Sequence, residues 1–434
     1  ANNRVQRSKC GDRPQGQLRS DRLTTTMGFV STVVKAHIFL LLACVANVAF
    51  MLLFAFPWMQ RHFLFMHKVP YPISPDFDSP HKYNLAPGIA RNVRIISTDN
   101  VTLGAWHHLP DTLYEEYKHL INETSSALPD EVYLQALREF PTFVYLHGNA
   151  MNRAAPFRVE TYQLLSETMH ANVIAIDYRG FGDSSGYPSE EGVIDDAYAT
   201  VAYVRENSED PETGKSPALT IMGQSLGTGV ASQAALRLYN DEVPFDGVVL
   251  LAPFKDIKSL VTEFRVAGLF PVFGMLEYIP QKEQLLDQLL LYSFNTTAAM
   301  KEFLDGNLFV DAPHPPTVLV MHAVDDDVIP VHHGEQLYLM VEDHFMTRRL
   351  DSSFHAWGSR IPDIGYVQSV LRKSEPNPER LGRVPGARAV LPRNALTTYL
   401  RLNRGGHNHL FSEYSDLLPL LLPQNMTGRA PTAT

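Results

Sequence analysis

The sequence predicts an α/β fold, in which a mostly parallel sheet is covered by helices on both faces and preceded by one apolar helix. Short runs rich in β-branched and apolar residues recur from residue 143 onward, and most are followed by a longer stretch with helical periodicity. Alternation of this kind is typical of a parallel sheet between two helical layers. At 434 residues the chain can hold one large domain or two ordinary ones.

The predicted elements follow one another in a regular order. A hairpin is expected from Asn92 to His108, turning around Asp99 and Asn100. The strands and helices after it are FVYLH, then ETYQLLSETM; NVIAID, then EGVIDDAYATVAYVREN; ALTIMG, then a helix from Leu226; GVVLLAP; TVLVMHA, then GEQLYLMVE; and TYLRL, then a helix near Ser412 to Leu420.

Two stretches interrupt this alternation. Residues 254–312 are apolar and helical in pattern and lie between two strands, which predicts a cap. Residues 352–395 are rich in Pro, Gly and Arg, which predicts a long surface insertion, with disorder as an open alternative. The α/β domain as a whole is expected to cover residues 91–434.

The N-terminal region predicts a membrane anchor. From Ala36 to Phe56 the sequence reads AHIFLLLACVANVAFMLLFAF, without a formally charged residue. As a helix it would be about 31 Å long, enough to cross a hydrocarbon layer of about 30 Å. A buried core helix or a signal peptide is usually shorter, so we expect a transmembrane helix over residues 36–58, with Trp58 at the headgroups. The proline-rich residues 59–90 would be a connector.

The charged residues predict the orientation of this anchor. Residues 1–35 hold seven Lys/Arg against two Asp, and few basic residues follow the span, so this tail is expected in the cytoplasm. The larger part would then be lumenal, as in a single-pass type II protein of the endoplasmic reticulum. Glycosylation sequons lie on that side at Asn100, Asn122, Asn295 and Asn425. If Met27 is the true initiator, most of the basic bias disappears and the orientation stays open.

Charge and cysteine content exclude two classes of function. The whole chain carries −10, and the part beyond the basic tail is more acidic still, which argues against nucleic-acid binding. The two cysteines are Cys10, in the tail, and Cys44, in the apolar run. The α/β domain therefore has neither a disulfide nor a thiol nucleophile.

The strongest local motif is Gly223-Gln224-Ser225-Leu226-Gly227, between the strand ALTIM and a helix. In a nucleophile elbow the serine occupies a strained strand-to-helix turn, and a glycine two places on either side lets strand and helix approach closely. The pattern occurs by chance in roughly one chain in seven of this length, so its position between strand and helix is what gives it weight. The motif predicts Ser225 as a nucleophile in an α/β-hydrolase fold.

An oxyanion site is predicted beside this serine. Leu146-His147-Gly148-Asn149 follows the strand FVY, where such folds supply one half of the oxyanion hole. The backbone N–H groups of Asn149 and Leu226 would bind the developing alkoxide, with Ala150 as the neighbouring alternative to Asn149. His147 is interpreted as a structural residue that tethers this loop.

A serine nucleophile also needs a histidine base and a carboxylate that orients it. In this fold the order along the chain is serine, acid, histidine. Three carboxylates, at positions 325–327, follow the strand TVLVMHA, and any one of them could orient the base. Glycines precede His407 after the last strand and permit a tight loop, so His407 is the predicted base.

No metal or cofactor is expected. His407 and His409 could form a metal pair, but no further cluster with ligand spacing accompanies them. The doublets at 107–108 and 332–333 are interpreted as surface or helix-start residues.

With these motifs in place, the sequence resembles the membrane-anchored α/β-hydrolase-domain lipases of the type-12 branch, which act on monoacylglycerols and lysophosphatidylserine. The matching stretches are YLHGNAMNR, IAIDYRGFGDSSGYPSEEGVIDDA, GQSLGTGVA, VMHAVDDDVIP and GGHNHL, within a region from about residue 90 to the end. The resemblance implies that the first Asp of D-x-x-[VI]-P, Asp326, is the acid and that His407 is the base. The 352–395 insertion departs from the family pattern.

The resemblance and the anchor together predict the substrate. An active site tethered beside a bilayer under an apolar cap suits a single-chain amphiphile, so we expect hydrolysis of a monoacylglycerol or lysophospholipid through an acyl-enzyme on Ser225. A protein or acyl-CoA thioesterase would use the same residues. A non-catalytic, membrane-tethered binding module is the alternative outside enzymology.

Overall fold

The computed structural model describes residues 15–121, 127–263, 265–266, 270–271, 273–306, 316–349, 387–390, 397–402, 404–415, 418–422 and 424–428. The chain divides into two units, Ala1–Phe56 and Pro57–Thr434.

The first unit contains one long helix, α1, Gln15–Phe54. Its 24-residue segment Ser31–Phe54 includes an 18-residue stretch with a mean hydropathy of 2.4 and is long and apolar enough to cross a membrane. The segment begins and ends a few residues before the range 36–58 that the sequence predicted. The helix stops ahead of Pro57, which cannot continue the backbone hydrogen bonding of a preceding helix.

The second unit is built on a nine-stranded sheet in the order β1-β2-β4-β3-β5-β6-β9-β11-β10. The strands from β4 to β11 in this order run parallel, and β1, β2 and β10 add antiparallel pairs at the two edges. The strands are β1 Ala90–Ile96, β2 Thr102–His108, β3 Thr142–Leu146, β4 Asn172–Ile176, β5 Leu219–Gln224, β6 Gly247–Leu251, β9 Thr317–Ala323, β10 Ala387–Val390 and β11 Thr397–Leu402, with a separate short ladder of β7 Arg265–Val266 and β8 Phe270–Pro271.

Helices cover both faces of the sheet. One layer joins α4, α6, α7, α10 and α11, and the other joins α3, α5, α12 and α13. The helices of this unit are α2 Pro57–Phe65, α3 Asp111–Tyr117, α4 Asp130–Glu139, α5 Pro156–Met169, α6 Glu190–Ser208, α7 Leu226–Asn240, α8 Ile257–Glu263, α9 Lys282–Leu289, α10 Thr296–Asp305, α11 His332–Arg349, α12 Leu410–Tyr414 and α13 Leu418–Leu421.

The central strands form the core because they are apolar along their whole length. Every residue of β3, β4, β5, β6 and β9 is buried, as expected for strands covered on both faces. The mostly parallel sheet covered by helices on both faces, which strand and helix alternation predicted, is therefore confirmed.

Some elements differ from the prediction. Helices α2, α3 and α4 were not predicted, and strand β10 lies within residues 352–395, where only a surface insertion was expected. The rest of that stretch lies outside the described residues. In the predicted cap, α8, α9 and the β7–β8 ladder are followed by α10, which packs against α7 and α11 in a helical layer of the domain. The predicted C-terminal helix is two short helices, α12 and α13.

The prediction that His107 and His108 lie on the surface was wrong. Both are on β2 and are no more than 1% exposed. His107 Nε2 lies 2.9 Å from the Asn172 side-chain oxygen, and His108 Nδ1 lies 2.9 Å from the Leu109 carbonyl. Burial lowers the pKa of His107 to about 3 and that of His108 to about 4. Both imidazoles are therefore neutral at physiological pH.

These two histidines predict a loss of stability in mild acid. In the unfolded chain a histidine protonates near pH 6.5, whereas the folded pair stays neutral to about pH 4, so the unfolded state binds more protons between these values. These two groups should contribute up to about 3 kcal/mol per pH unit to the fall in the free energy of unfolding below pH 6.5. Urea unfolding at several pH values measures this slope. His107→Gln should reduce this slope by about 1.4 kcal/mol per pH unit, because one fewer proton is taken up on unfolding.

Candidate active site

The predicted nucleophile lies at a strained turn between β5 and α7. Ser225 has φ 53° and ψ −120°, a left-handed conformation that is rare outside glycine. The flanking glycines allow the approach of strand and helix: a Cβ on Gly223 would lie 2.2 Å from the Gly227 carbonyl oxygen, and one on Gly227 would lie 2.0 Å from that of Leu146. Both positions therefore require glycine, which is the geometry expected of a nucleophile elbow.

The structure brings Ser225, His407 and Asp326 together. The Ser225 Oγ lies 2.9 Å from His407 Nε2, and His407 Nδ1 lies 2.9 Å from Asp326 Oδ2. The three residues follow β5, β11 and β9 respectively. Because the carboxyl ends of parallel strands meet at one edge of a sheet, these distant positions in sequence converge. The arrangement allows the imidazole to take the serine proton while the carboxylate holds its other nitrogen.

The carboxylate of Asp326 is fixed on both oxygens. Its Oδ1 accepts hydrogen bonds of 2.9 Å from the amides of Val328 and Ile329, and its Oδ2 lies 3.4 Å from His322 Nε2 in addition to His407. Burial alone would raise the pKa of Asp326, but the contacts with His322 and His407 outweigh it, so the pKa lies below its usual value. Asp326 is thus ionised at physiological pH.

The other two carboxylates of the cluster have different surroundings. Asp325 accepts a 2.8 Å hydrogen bond from the amide of Gly406, directly before His407, and so ties the histidine loop to the acid loop. Asp327 is exposed. Of the three candidates, only Asp326 contacts the imidazole in this structure.

The predicted oxyanion site lies beside Ser225. Gly148 packs closely against Ser225, since an added Cβ would lie 3.2 Å from the Ser225 Cβ. The amide of Ala150, the alternative donor, already donates to the Phe65 carbonyl at 2.8 Å. Neither the Asn149 amide nor the Leu226 amide has an acceptor within the part of the chain that the structure describes. Both N–H groups are therefore available as donors, one in the residue after Gly148 and the other in the residue after Ser225.

His147 has the contacts of a structural residue. It is fully buried, its Nδ1 lies 2.6 Å from the Gly148 carbonyl oxygen, and its Nε2 lies 3.4 Å from Asp177. Burial lowers its pKa, and the nearby charge of Arg158 lowers it further. A neutral, enclosed imidazole tethers the loop, in agreement with its interpretation from sequence.

Sequence reasoning did not identify the role of Gln224. It accepts a 2.5 Å hydrogen bond from the Tyr145 hydroxyl and donates one of 3.3 Å to the His407 carbonyl, so it links the histidine loop to the end of β5. Only its place in the elbow motif could have drawn attention to it.

One cluster of possible metal ligands occurs in the described residues, formed by Glu263, His332 and His333. Glu263 Oε2 lies 2.9 Å from His332 Nε2 and 3.4 Å from His333 Nε2. The Lys255 amide donates to His333 Nδ1 at 3.4 Å, and burial lowers the pKa of His333 to about 4, so the single ring proton is on Nε2. His333 then offers no lone pair at the cluster, and this donor set does not fit a metal.

The remaining histidine and the sequons have varied settings. His409 is exposed, and its Nδ1 lies 3.9 Å from the Glu160 carboxylate. Asn100 and Asn425 are exposed, whereas the Asn295 side chain caps α10 by accepting from Ala298 at 2.8 Å. Asn122 lies outside the described residues. Glycosylation stays a prediction.

Comparisons with known proteins show the family to which the chain belongs. The α/β hydrolase fold family matches residues 141–298. Lysophosphatidylserine lipase ABHD12 of Xenopus tropicalis is 31% identical over 320 residues, which are 73% of this chain and 74% of the relative. The chain belongs to the ABHD12 family. Protein ABHD12B of Homo sapiens is also 31% identical, over 328 residues, 74% of this chain and 75% of the relative.

Membership of the ABHD12 family confirms the resemblance to the type-12 branch, and the chain is a serine hydrolase that acts on esters. Among solved structures, the Pyrococcus furiosus esterase Pf2001 is 16% identical, covers 63% of this chain and 85% of its own, and has a TM-score of 0.40. Similarity at that level carries no argument about substrate.

Proposed function

We propose that this chain is a membrane-anchored lipase that hydrolyses the acyl ester of a lysophospholipid or monoacylglycerol. The proposal depends on one observation, the hydrogen bonds that link the side chains of Ser225, His407 and Asp326. The amides of Asn149 and Leu226 have no acceptor among the described residues and can serve as oxyanion donors. Relatives that are about 30% identical to this chain are named lysophosphatidylserine lipase, and this name supports the substrate class.

The reaction proceeds in two halves. His407 Nε2 takes the Ser225 proton as the oxygen attacks the ester carbonyl, and the amides of Asn149 and Leu226 hold the oxyanion. Collapse of the tetrahedral intermediate breaks the bond between the acyl carbon and the glycerol oxygen. This oxygen takes the proton from His407 and leaves as an alcohol. Water then attacks the acyl-enzyme, gives its proton to His407, and releases the fatty acid while Ser225 is restored.

The N-terminal helix and the cap segment support an amphiphilic substrate. Segment Ser31–Phe54 would tether the enzyme to a bilayer, with the hydrolase unit on the lumenal side of the endoplasmic reticulum. Several apolar side chains of the cap are exposed, among them Tyr278, Ile279, Leu289 and Leu291. A single acyl chain can leave a bilayer and bury itself against such residues more readily than a diacyl lipid can.

A competition between lipid classes tests the proposal. The purified full chain in mixed micelles is given oleoyl lysophosphatidylserine, monoolein, dioleoyl phosphatidylserine and oleoyl-CoA, and released oleate is measured. We expect the two single-chain esters to be cleaved more than about tenfold faster than the diacyl lipid and the thioester. Faster cleavage of oleoyl-CoA would instead establish a thioesterase, and no cleavage of any lipid would refute the proposed substrate class.

A further inference from the structure

The loop that carries Asn149 has an unusual backbone. Between β3 and α5, Ala150 and Met151 have φ of 55° and 59°, so two successive residues other than glycine are left-handed. Such conformations are rare and persist only where surrounding contacts impose them. Contacts on both sides of the loop impose this conformation.

The carbonyl side of the loop is held by one buried cation. Arg158, on α5, is 1% exposed, and its Nη2 donates to the carbonyls of Gly148, Asn149 and Ala150 at 3.2, 3.2 and 3.0 Å. Its Nη1 donates to the Asn152 carbonyl at 3.0 Å. Four carbonyl oxygens from one short loop thus converge on one guanidinium.

The amide side of the loop is held by the segment that follows the anchor. The amides of Ala150 and Met151 donate to the carbonyls of Phe65 and Val69, each at 2.8 Å. Phe65 itself is fully buried at the end of α2, with its ring edge-on to those of Tyr292 and Phe294. The Ala150 and Met151 amides are thus engaged, whereas the Asn149 amide has no acceptor among the described residues.

The charge of Arg158 is not neutralised by an acid. Among the described residues no carboxylate lies within ion-pair distance of its guanidinium, in contrast to the equally buried Arg153, which contacts Asp177 and Asp183. The positive charge of Arg158 acts on neighbouring groups, since it helps to lower the pKa of His147. A buried cation that is surrounded by carbonyl dipoles and has no carboxylate partner favours negative charge nearby.

We propose that Arg158 is a positioning residue for the oxyanion site, because it turns the loop carbonyls away from Ser225 and leaves the Asn149 amide facing the reacting carbonyl. The inference rests on the proposed function. It assigns Arg158 a role in stabilising the transition state that is separate from nucleophile activation by His407.

Substitution of Arg158 tests this role. Arg158→Met is expected to lower kcat for a soluble short-chain ester about 100-fold while KM changes less than about threefold. The inhibition constant of an aliphatic trifluoromethyl ketone, whose serine adduct carries an oxyanion, should rise by the same factor as kcat/KM falls. Arg158→Lys, which keeps the charge, should retain part of the kcat and part of the ketone affinity that Arg158→Met loses. Unchanged kcat, or a fall in kcat without weaker ketone binding, would overturn the proposal.

Arg205→Met is the matched control. Arg205 also gathers backbone carbonyls, those of Pro244 and Pro217 at 2.8 and 3.0 Å, but at the opposite end of β5. Its substitution should lower the Tm without changing kcat or ketone binding. If Arg158→Met fails to fold, Phe65→Ala, which loosens the carbonyl that holds Ala150, should lower kcat and ketone affinity together by roughly tenfold. A folded Phe65→Ala chain with unchanged values would refute the inference.

Failure of the two proposals can be told apart. Labelling of Ser225 by a fluorophosphonate, together with lipid hydrolysis, tests the nucleophile alone. A chain that is labelled and hydrolyses lipid, but whose Arg158→Met variant keeps its kcat and ketone affinity, contradicts only the positioning role.

Discussion

Replacement of Ser225 by alanine is expected to lower kcat for a lysophospholipid by about 10⁵-fold or more, because the acyl-enzyme can no longer form. The fold should survive the change. The backbone bonds of the elbow, from the Ser225 amide to Leu251 and from the Thr228 amide to Ser225, at 2.9 and 2.8 Å, do not involve the hydroxyl. Alanine also tolerates the left-handed turn no worse than serine does.

Measurement of kcat for the purified variant, with its Tm, separates lost chemistry from lost structure. Ser232→Ala is the matched control, since Ser232 is a buried serine on the same helix whose hydroxyl only donates to the Thr228 carbonyl at 2.7 Å. It should keep normal kcat and normal fluorophosphonate labelling. More than about 1% of normal turnover by Ser225→Ala would mean that another group attacks the ester.

The central sheet could be predicted because its strands are buried on both faces. Continuous apolar runs such as those of β3, β5 and β9 have few alternatives to a buried strand when turn residues flank them. Once the strands are placed, chain order brings Ser225, Asp326 and His407 to one edge of the sheet. The spatial arrangement of the candidate site was therefore accessible from the sequence.

Elements that depend on partners could not be predicted in the same way. Strand β10 lies in a Pro- and Arg-rich stretch, and its extended backbone is set by antiparallel pairing with β11 rather than by its own residues. Helix α2 carries no clear periodicity and is held through Gln60, which bonds the backbone of Leu289 and Leu291 at 2.6 and 2.7 Å. Such contacts join residues far apart in sequence and leave no local pattern.

The histidines illustrate the same limit. His107 and His108 are polar by composition, yet strand β2 lies inside the sheet and is covered on both faces, so both rings are buried. The role of Arg158 likewise depends on carbonyl groups, which every residue possesses. Residue type alone predicts neither the burial of these histidines nor the carbonyl contacts of Arg158.

Asp326→Asn is expected to lower kcat about 10⁴-fold while the protein remains folded. The amides of Val328 and Ile329 both donate to Oδ1, so the asparagine oxygen must take that position. The side-chain NH₂ then takes the place of Oδ2 and donates to His407 Nδ1. The ring proton is forced onto Nε2, where it faces the Ser225 Oγ, so the imidazole cannot accept the serine proton.

The neighbouring carboxylates make this prediction specific. Asp327→Asn is the same chemical change one residue away on an exposed side chain, and it should leave kcat within about twofold of normal. Asp325→Asn retains an oxygen for the Gly406 amide and should have only a small effect. Steady-state kcat for the three variants, with their Tm values, decides the matter. A large loss of kcat with Asp325→Asn or Asp327→Asn, together with a small loss with Asp326→Asn, would show that Asp326 is not the orienting acid. Only a carboxylate that accepts from Nδ1 keeps Nε2 free to act as a base.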